Sequence, residues 1–190
     1  MLKVHLTHID ALDKAIACIE TEVGTGLKPF RDAAKLLSTM PGLSQFSANV
    51  VVAEIGIDMS RFATPGNLLS WACMCPRNDE SAGKRRSTRM RRGGKWLKTT
   101  LVQAAWAAIK VKGSYLQAQF HRLRARRGTK KAIIAVAASM LTAACHMLRD
   151  GTEWNELCAA HFDRADAAKT VNRLIRRLQQ FGYVVQATPA

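Results

Sequence analysis

Apolar residues recur at helical spacing along most of the chain, and the clearest run lies at its start. Leucine, isoleucine and valine repeat at gaps of three and four residues, at Leu2, Leu6, Ile9, Leu12, Ile16, Ile19 and Val23. This spacing is typical of a coiled-coil seam. Gly24 and Gly26 are predicted to end the helix. Because the helix is in register from Met1, it either pairs with a partner or follows an upstream domain.

Two shorter helices are predicted around a Pro-Gly-Leu turn. The first runs through Leu36 and Leu37 and stops before Pro41-Gly42, because proline disfavours a helical predecessor and glycine tolerates a tight turn. Ser44 can cap the second, which runs to Gly56. The pair, near residues 34–56, resembles a helix-hairpin-helix, in which amides at the second helix's start face a phosphate. A plain helical hairpin is the alternative.

Helix signals continue through the rest of the chain. Thr64-Pro65 opens a short helix through Trp71, and four further helices are predicted over residues 95–112, 115–127, 130–149 and 165–181. Glycines 113, 128 and 182 end three of them, Ser114 and Thr129 can cap the next ones, and residues 183–185 suit one short strand. Residues 73–94 lack apolar periodicity and predict a long loop.

The fold class predicted from these patterns is mainly α. It comprises an N-terminal coiled-coil helix, a helix-hairpin-helix-like unit, a long basic loop and a helical bundle. We divide the chain into a coiled-coil segment at 1–26 and a domain at 27–190.

Positive charge is concentrated in one segment. The chain has 29 Lys and Arg against 14 Asp and Glu, and 17 of the 29 lie between Ser81 and Arg149, where no acidic residue occurs. If gathered on one surface, such a block attracts a polyanion, and nucleic acid is the usual partner. A solvated basic face is the alternative. Membrane binding is disfavoured, because the basic loop lacks interleaved Phe or Leu.

Cysteine and histidine usage indicates a cytoplasmic protein without a metal site of its own. Five cysteines, an odd number, are typical of reduced thiols rather than a disulfide framework. Cys73-x-Cys75 and Cys158-x-x-His161 have poor zinc spacing, so buried thiols are the preferred interpretation. The Ala-rich run 132–148, interrupted by polar residues, predicts a buried helix that carries His146 in the core.

Ser81 is the candidate nucleophile. It stands in ESAGKRRSTRMRRGGKW, where Ala82-Gly83 allow close backbone approach. The cations that can hold phosphoryl oxygens are Lys84, Arg85, Arg86, Arg89, Arg91, Arg92 and Lys95. No carboxylate pair stands at a useful spacing within the basic segment, so the two-metal site of many nucleases is not visible. An ordinary serine in a solvated loop is the alternative.

Several stretches resemble the C-terminal transposase domain of the insertion-sequence family called IS one-ten. They are LLSTMPGLSQFSANVVVAEIG, RFATPGNLLSWACMCPRNDESAGKRRS, GGKWLKTTLVQAAWAA and FHRLRARRGTKKAIIAVAASML, and the resemblance spans about Ala34 to Val185. The sequence departs from the family at Cys73, Arg77 and Gly93-Gly94, where the family usually has Gly, Gly or a similar residue, and Gly-Asn.

The resemblance implies a DNA recombinase in which a serine, here at the position of Ser81, attacks the DNA backbone to form a phosphoserine link. It also implies a guide RNA, and an N-terminal RuvC-like domain whose acids bind magnesium. This chain starts inside the coiled coil that would follow that domain, so we expect a truncated product or fragment, without a cofactor of its own and inactive alone.

The expected partners are DNA, the guide RNA and a second copy of the chain through the N-terminal helix. Gly42 and Ser44 of the hairpin join the basic residues as candidate nucleic-acid contacts. Two alternatives remain open. One is a non-catalytic helical nucleic-acid-binding remnant, and the other is a helical interaction protein whose charge is incidental.

Overall fold

The computed structural model describes residues 2–77, 79–87 and 89–184, and this part of the chain is mainly helical. The helices are α1 (Leu2–Gly26), α2 (Arg31–Leu37), α3 (Gln45–Ile55), α4 (Pro65–Trp71), α5 (Lys95–Ala108), α6 (Tyr115–Arg127), α7 (Thr129–Asp150) and α8 (Ala160–Gln180). Short 3-10 turns at Lys28–Phe30 and Met59–Arg61 precede α2 and α4. Strands β1 (Asp79–Ser81) and β2 (Lys84–Ser87) form an antiparallel pair. The mainly α class is thus confirmed.

The core is organised around α7, whose apolar face packs against α2, α4, α5 and α6. Ala132, Val136, Met140 and Leu141 on that face are buried. Within the described residues, α7 alone is long and apolar enough to cross a membrane, but half of its most apolar stretch is buried in the protein. This burial is what a core helix shows. The prediction of a buried helix over 132–148 is confirmed.

Local capping signals place several helix starts as predicted. The Ser44 hydroxyl accepts a hydrogen bond from the Ser47 amide at 3.2 Å, and Thr64 Oγ1 accepts from the Asn67 amide at 3.3 Å. Ser114 caps α6 in the same way, through the Gln117 amide at 3.1 Å. Each cap satisfies an amide that has no partner within its helix.

Other predictions about helix bounds are corrected. Thr129 is the first residue of α7 rather than its cap, and Gly24 lies inside α1, which ends at Gly26. Helix α5 ends at Ala108, short of Lys112, because the chain turns there to start α6. Helix α8 begins five residues earlier than predicted, at Ala160.

Two predictions about single positions are also corrected. His146 was expected in the core, but it lies on the exposed face of α7 with Nδ1 3.9 Å from the Asp150 carboxylate. The helical period places it one turn from Asp150 and away from α5 and α6. Residues 183–184 are not in a strand, since no neighbouring strand is there to pair with them among the described residues, and Val185 lies outside that part of the chain.

The segment that follows α7 is tied to the start of α6 by one carboxylate. Glu156 Oε1 accepts hydrogen bonds from the Tyr115 amide at 2.7 Å and the Cys158 amide at 3.2 Å. Its Oε2 accepts from the Trp154 indole at 3.2 Å. Because α8 begins two residues after Cys158, this network sets where α8 leaves the core.

Candidate nucleic-acid interface

The basic segment expected to be a long loop contains a β-ribbon. Strands β1 and β2 pair with Ser81 opposite Lys84 and Glu80 opposite Arg85. The pairing extends toward the core through a bridge between Pro76 and Met90. The predicted long loop therefore contains two short paired strands. Short polar strands of Asp, Glu, Ser, Lys and Arg carry no apolar alternation, so the pattern gave no strand signal.

A two-residue turn closes the ribbon directly after Ser81. Ala82 has φ 51° and Gly83 has φ 74°. Positive φ at both central residues is the signature of a type I′ turn, whose twist matches that of paired strands. Left-handed backbone costs a residue with a Cβ about 1–2 kcal/mol, so Ala82 is a strained position beside the candidate nucleophile.

The strained backbone at Ala82 leads to a testable prediction. Ala82→Gly is expected to stabilise the ribbon by about 1 kcal/mol, because glycine adopts positive φ without steric cost. The amide of Arg77, which donates to the Arg89 carbonyl at 3.0 Å, reports ribbon opening by hydrogen exchange. Its exchange should slow about fivefold.

The neighbouring glycine supplies the control for that prediction. Gly83 also has positive φ and has nothing within 4 Å of a built Cβ, so Gly83→Ala adds backbone strain alone. It should speed Arg77 exchange by a similar factor. Equal exchange in both variants would show that the turn does not limit ribbon stability.

The base of the ribbon is fixed between α4 and α5. A Cβ on Gly93 would lie 2.8 Å from Cys73 Sγ, and one on Gly94 would lie 3.2 Å from the Ala72 carbonyl. Met74 and Leu97, on the two sides of this junction, are buried. Cys73 itself has φ 54°, which gives a physical reason for the glycine usual at this position in the resembling family. The ribbon therefore projects from a packed base.

Ser81 stands at the exposed end of this projection. It is the last residue of β1, directly before the turn at Ala82 and Gly83. The residue is exposed, and within the described part of the chain no hydrogen bond to its hydroxyl is present. A macromolecular backbone can reach the hydroxyl from several directions.

The predicted phosphate contacts lie on the ribbon and at its base. Lys84, Arg89, Arg91, Arg92 and Lys95 are exposed. Arg85 and Arg86 lie on β2, and their side chains are outside the described part. Because Lys84 is directly across from Ser81 in the strand register, their side chains leave the same face of the ribbon. One predicted cation is thus brought to the predicted nucleophile.

The two acidic residues of β1 do not form a metal site. Asp79 lies 3.7 Å from the Arg77 guanidinium, as an exposed ion pair of small energetic weight. Among the described residues no group of three or more His, Cys, Asp or Glu is placed to hold a metal ion. Mg²⁺ prefers several oxygen ligands, so the described residues do not fit the magnesium that the resemblance implies.

Sequence reasoning missed three residues at the base of the ribbon. Lys98 Nζ donates to the Arg91 carbonyl at 2.9 Å and so fixes the backbone that carries two arginines. Trp96 is exposed, with Lys95 Nζ 6.0 Å from its ring. Arg77 pairs with Asp79 as described above. An exposed tryptophan beside a lysine was a readable signal, since aromatic rings among cations suit nucleic-acid bases.

Gly42 and Ser44, the two candidate contacts in the hairpin, have different structural roles. Gly42 has φ 84° and approaches the backbone of α5 so closely that a Cβ there would clash with the Ala104 carbonyl oxygen. Ser44 is exposed and caps α3. Close packing on α5 is a sufficient reason for glycine at 42. The helix-hairpin-helix interpretation stays a prediction.

Comparison with known proteins identifies the segment that carries this geometry. Residues 34–121 match the family described as Transposase IS116/IS110/IS902 family. No curated protein matches the chain. The matched segment begins in α2, contains the whole ribbon with Ser81 and ends in α6. It supports an insertion-sequence transposase role for this chain.

Proposed function

We propose that this chain is the serine-bearing part of an insertion-sequence transposase, which binds DNA and a guide RNA and attacks DNA through Ser81. The observation that supports this most is the position of Ser81. It stands at the exposed tip of a basic ribbon, inside the segment that matches the transposase family. We place the protein in the cytoplasm, where its DNA substrate lies.

In the proposed reaction, Ser81 Oγ forms a bond to a DNA phosphorus atom and the bond from phosphorus to one strand oxygen breaks. The hydroxyl proton goes to a base, and the departing oxygen takes up a proton. The cations around the ribbon, Lys84 foremost, stabilise charge that develops on the phosphoryl oxygens. An exposed hydroxyl is a weak nucleophile without a base.

Within the described residues, no acid cluster supplies that base or a magnesium site. We therefore propose that the chain works together with a RuvC-like domain that provides the magnesium-binding acids. Alone, the chain binds nucleic acid but does not cleave it. The adduct experiment argued in the Discussion tests this proposal.

A non-catalytic nucleic-acid-binding protein is the second candidate. It is favoured by the Ser81 hydroxyl, which has no hydrogen-bond acceptor among the described side chains. Both candidates share the basic surface, so binding alone does not separate them. Formation of a covalent adduct does.

Binding is expected to weaken steeply with salt, because phosphate contacts by Lys and Arg release counterions. If six or more cations engage phosphates, affinity for duplex DNA falls about a thousandfold between 50 and 200 mM salt. Fluorescence anisotropy of a labelled duplex measures this. Affinity that is unchanged across that range contradicts the prediction.

A pair of variants assigns the salt effect to the ribbon. Arg91→Gln with Arg92→Gln should reduce the slope of log affinity against log salt by about two. Lys3→Gln with Lys14→Gln removes the same charge from α1 and should leave the slope unchanged. Equal reductions of the slope in the two double variants would show that the cations act only through the net charge of the protein.

We further propose that the chain associates with a second copy through α1. Its seam residues Leu2, Ile9 and Ile16 are at least half exposed, and none of the residues of α1 is buried. A helix with an apolar seam that long is stabilised by packing against another helix.

A further inference from the structure

Two helices at opposite ends of the chain expose apolar seams. On α1 the seam residues from Leu2 to Val23 are at least half exposed. On α8 and at its C-cap, the exposed apolar residues are Val171, Leu174, Leu178 and Phe181, at gaps of three, four and three residues. Such spacing is the a and d pattern of a coiled coil. Both helices therefore carry a coiled-coil surface that the rest of the chain leaves uncovered.

Contacts among the described residues hold the start of α8 against the start of α6. The ring of Phe162 stacks on Tyr115 with centroids 4.8 Å apart, and the Ala159 amide donates to the Gly113 carbonyl at 3.0 Å. From Val171 onward the seam faces solvent. The seams of α1 and α8 are separately exposed within one chain, so neither covers the other there.

The two seams carry opposite charges. The positions that flank the second half of the α1 seam are acidic, at Asp13, Glu20 and Glu22. Helix α8 from residue 171 onward has no acid, and it carries Arg177 beside the seam with Arg173 and Arg176 farther round. Pairing the acidic halves of two α1 helices places like charges together, as does pairing α8 with α8. Pairing α1 with α8 places opposite charges together.

We propose that α8 of one chain docks on α1 of a second copy. The α8 seam spans roughly 15 Å at 1.5 Å per residue, so it covers about half of α1. The acidic half, with Leu12, Ile16, Ile19 and Val23, has the same alternation of three- and four-residue gaps and the opposite charge. Reciprocal docking of two chains closes a two-fold dimer that covers each α8 seam and the acidic half of each α1 seam.

This inference rests on the proposed association through α1 and adds the surface that α1 meets. Light scattering on the full chain tests it. Leu174→Lys with Leu178→Lys puts charge into the α8 seam and leaves α1 intact. The parent is expected at about twice 20.9 kDa and the variant at 20.9 kDa, with the dissociation constant raised at least about a hundredfold.

A matched control keeps the charge and changes the position. Gln179→Lys with Gln180→Lys adds the same two charges to α8 off the seam, and this variant should remain a dimer. Circular dichroism checks that the helices persist, which is expected because the substituted side chains are exposed.

A mixture of two variants, each with one substituted seam, distinguishes docking of α8 on α1 from self-pairing of α1. Ile16→Lys with Ile19→Lys should also be a monomer, but it keeps an intact α8 seam. Mixed with Leu174→Lys/Leu178→Lys, it should form a dimer with one intact contact. No association in the mixture overturns the proposal.

Two other results also overturn it. If the α8 variant keeps the parent mass, α1 pairs with itself. If the parent is monomeric at 100 µM, α1 is covered by something other than α8 of a second copy. Binding of a short DNA duplex to the ribbon is measured separately, so failure of the docking proposal is distinguishable from failure of the proposed DNA function.

Discussion

Ser81→Ala is expected to abolish covalent capture of DNA while leaving binding nearly unchanged. The hydroxyl oxygen is the atom that bonds to phosphorus in the proposed reaction, so alanine removes the reaction itself. Binding rests on many cations on and around the ribbon, and one exposed hydroxyl adds little to such a surface. The expected loss of adduct is complete, against a change in affinity of less than about threefold.

The experiment adds the components that the proposed reaction requires. The protein is combined with a RuvC-like domain of the resembling family, the guide RNA, magnesium and a labelled DNA duplex. Denaturing gels then show whether label travels with protein. The chain without these additions should bind the duplex in native gels and give no adduct.

Ser87→Ala is the matched control, because Ser87 is a serine on β2 of the same ribbon. Its hydroxyl already accepts a hydrogen bond from the Arg89 amide at 3.2 Å, which gives it a structural role. The Ser87→Ala variant should form the adduct. An adduct that persists in Ser81→Ala would mean that another residue is the nucleophile. An adduct from the chain alone would mean that the added domain is dispensable.

Local signals in the sequence predicted most of the helices. The caps at Ser44, Thr64 and Ser114 each act over three residues, and all three hydrogen bonds are present. The Ala-rich run 132–148 predicted that α7 is buried, but the same run wrongly placed the exposed His146 in the core. Where a signal and its structure lie within one turn of helix, the sequence pattern is sufficient.

The ribbon could not be predicted in this way. Its strands lack apolar alternation, and an Ala-Gly turn is not among the usual type I′ sequences. What fixes the ribbon is the contact of Gly93 with Cys73 at its base, across 20 positions of the chain. The candidate nucleophile was therefore found by its residue type and resemblance, while its place at a turn needed the structure.

The role of Gly42 also depends on a contact that the pattern did not show. Pro41-Gly42 predicted a turn, and the turn is present. The partner of the turn is α5, which begins more than 50 residues later. Small side chains at Ala104 and Ala108 let the Gly42 backbone approach. Glycine at position 42 is explained either by packing on α5 or by contact with a phosphate, and an experiment distinguishes the two.

Gly42→Ala is expected to destabilise the protein by about 3 kcal/mol or more. A Cβ there would clash with the Ala104 carbonyl oxygen and lie 2.6 Å from the Ala108 amide nitrogen, so α5 or the turn must move. Overpacking costs about 1–3 kcal/mol and left-handed backbone about 1–2 kcal/mol more. The thermal midpoint, measured by circular dichroism at one protein concentration, should fall by about 10 °C.

Gly113→Ala separates the contact from the backbone strain. Gly113 has φ 73°, close to the 84° of Gly42, and nothing lies within 4 Å of its built Cβ. It should lose only about 1 kcal/mol, or roughly 3 °C. Equal losses of stability in the two variants would show that the close approach of Gly42 to α5 adds nothing to the cost of the substitution. If Gly42→Ala instead keeps its thermal midpoint and loses duplex binding, the turn contacts phosphate, and the helix-hairpin-helix interpretation is the correct one.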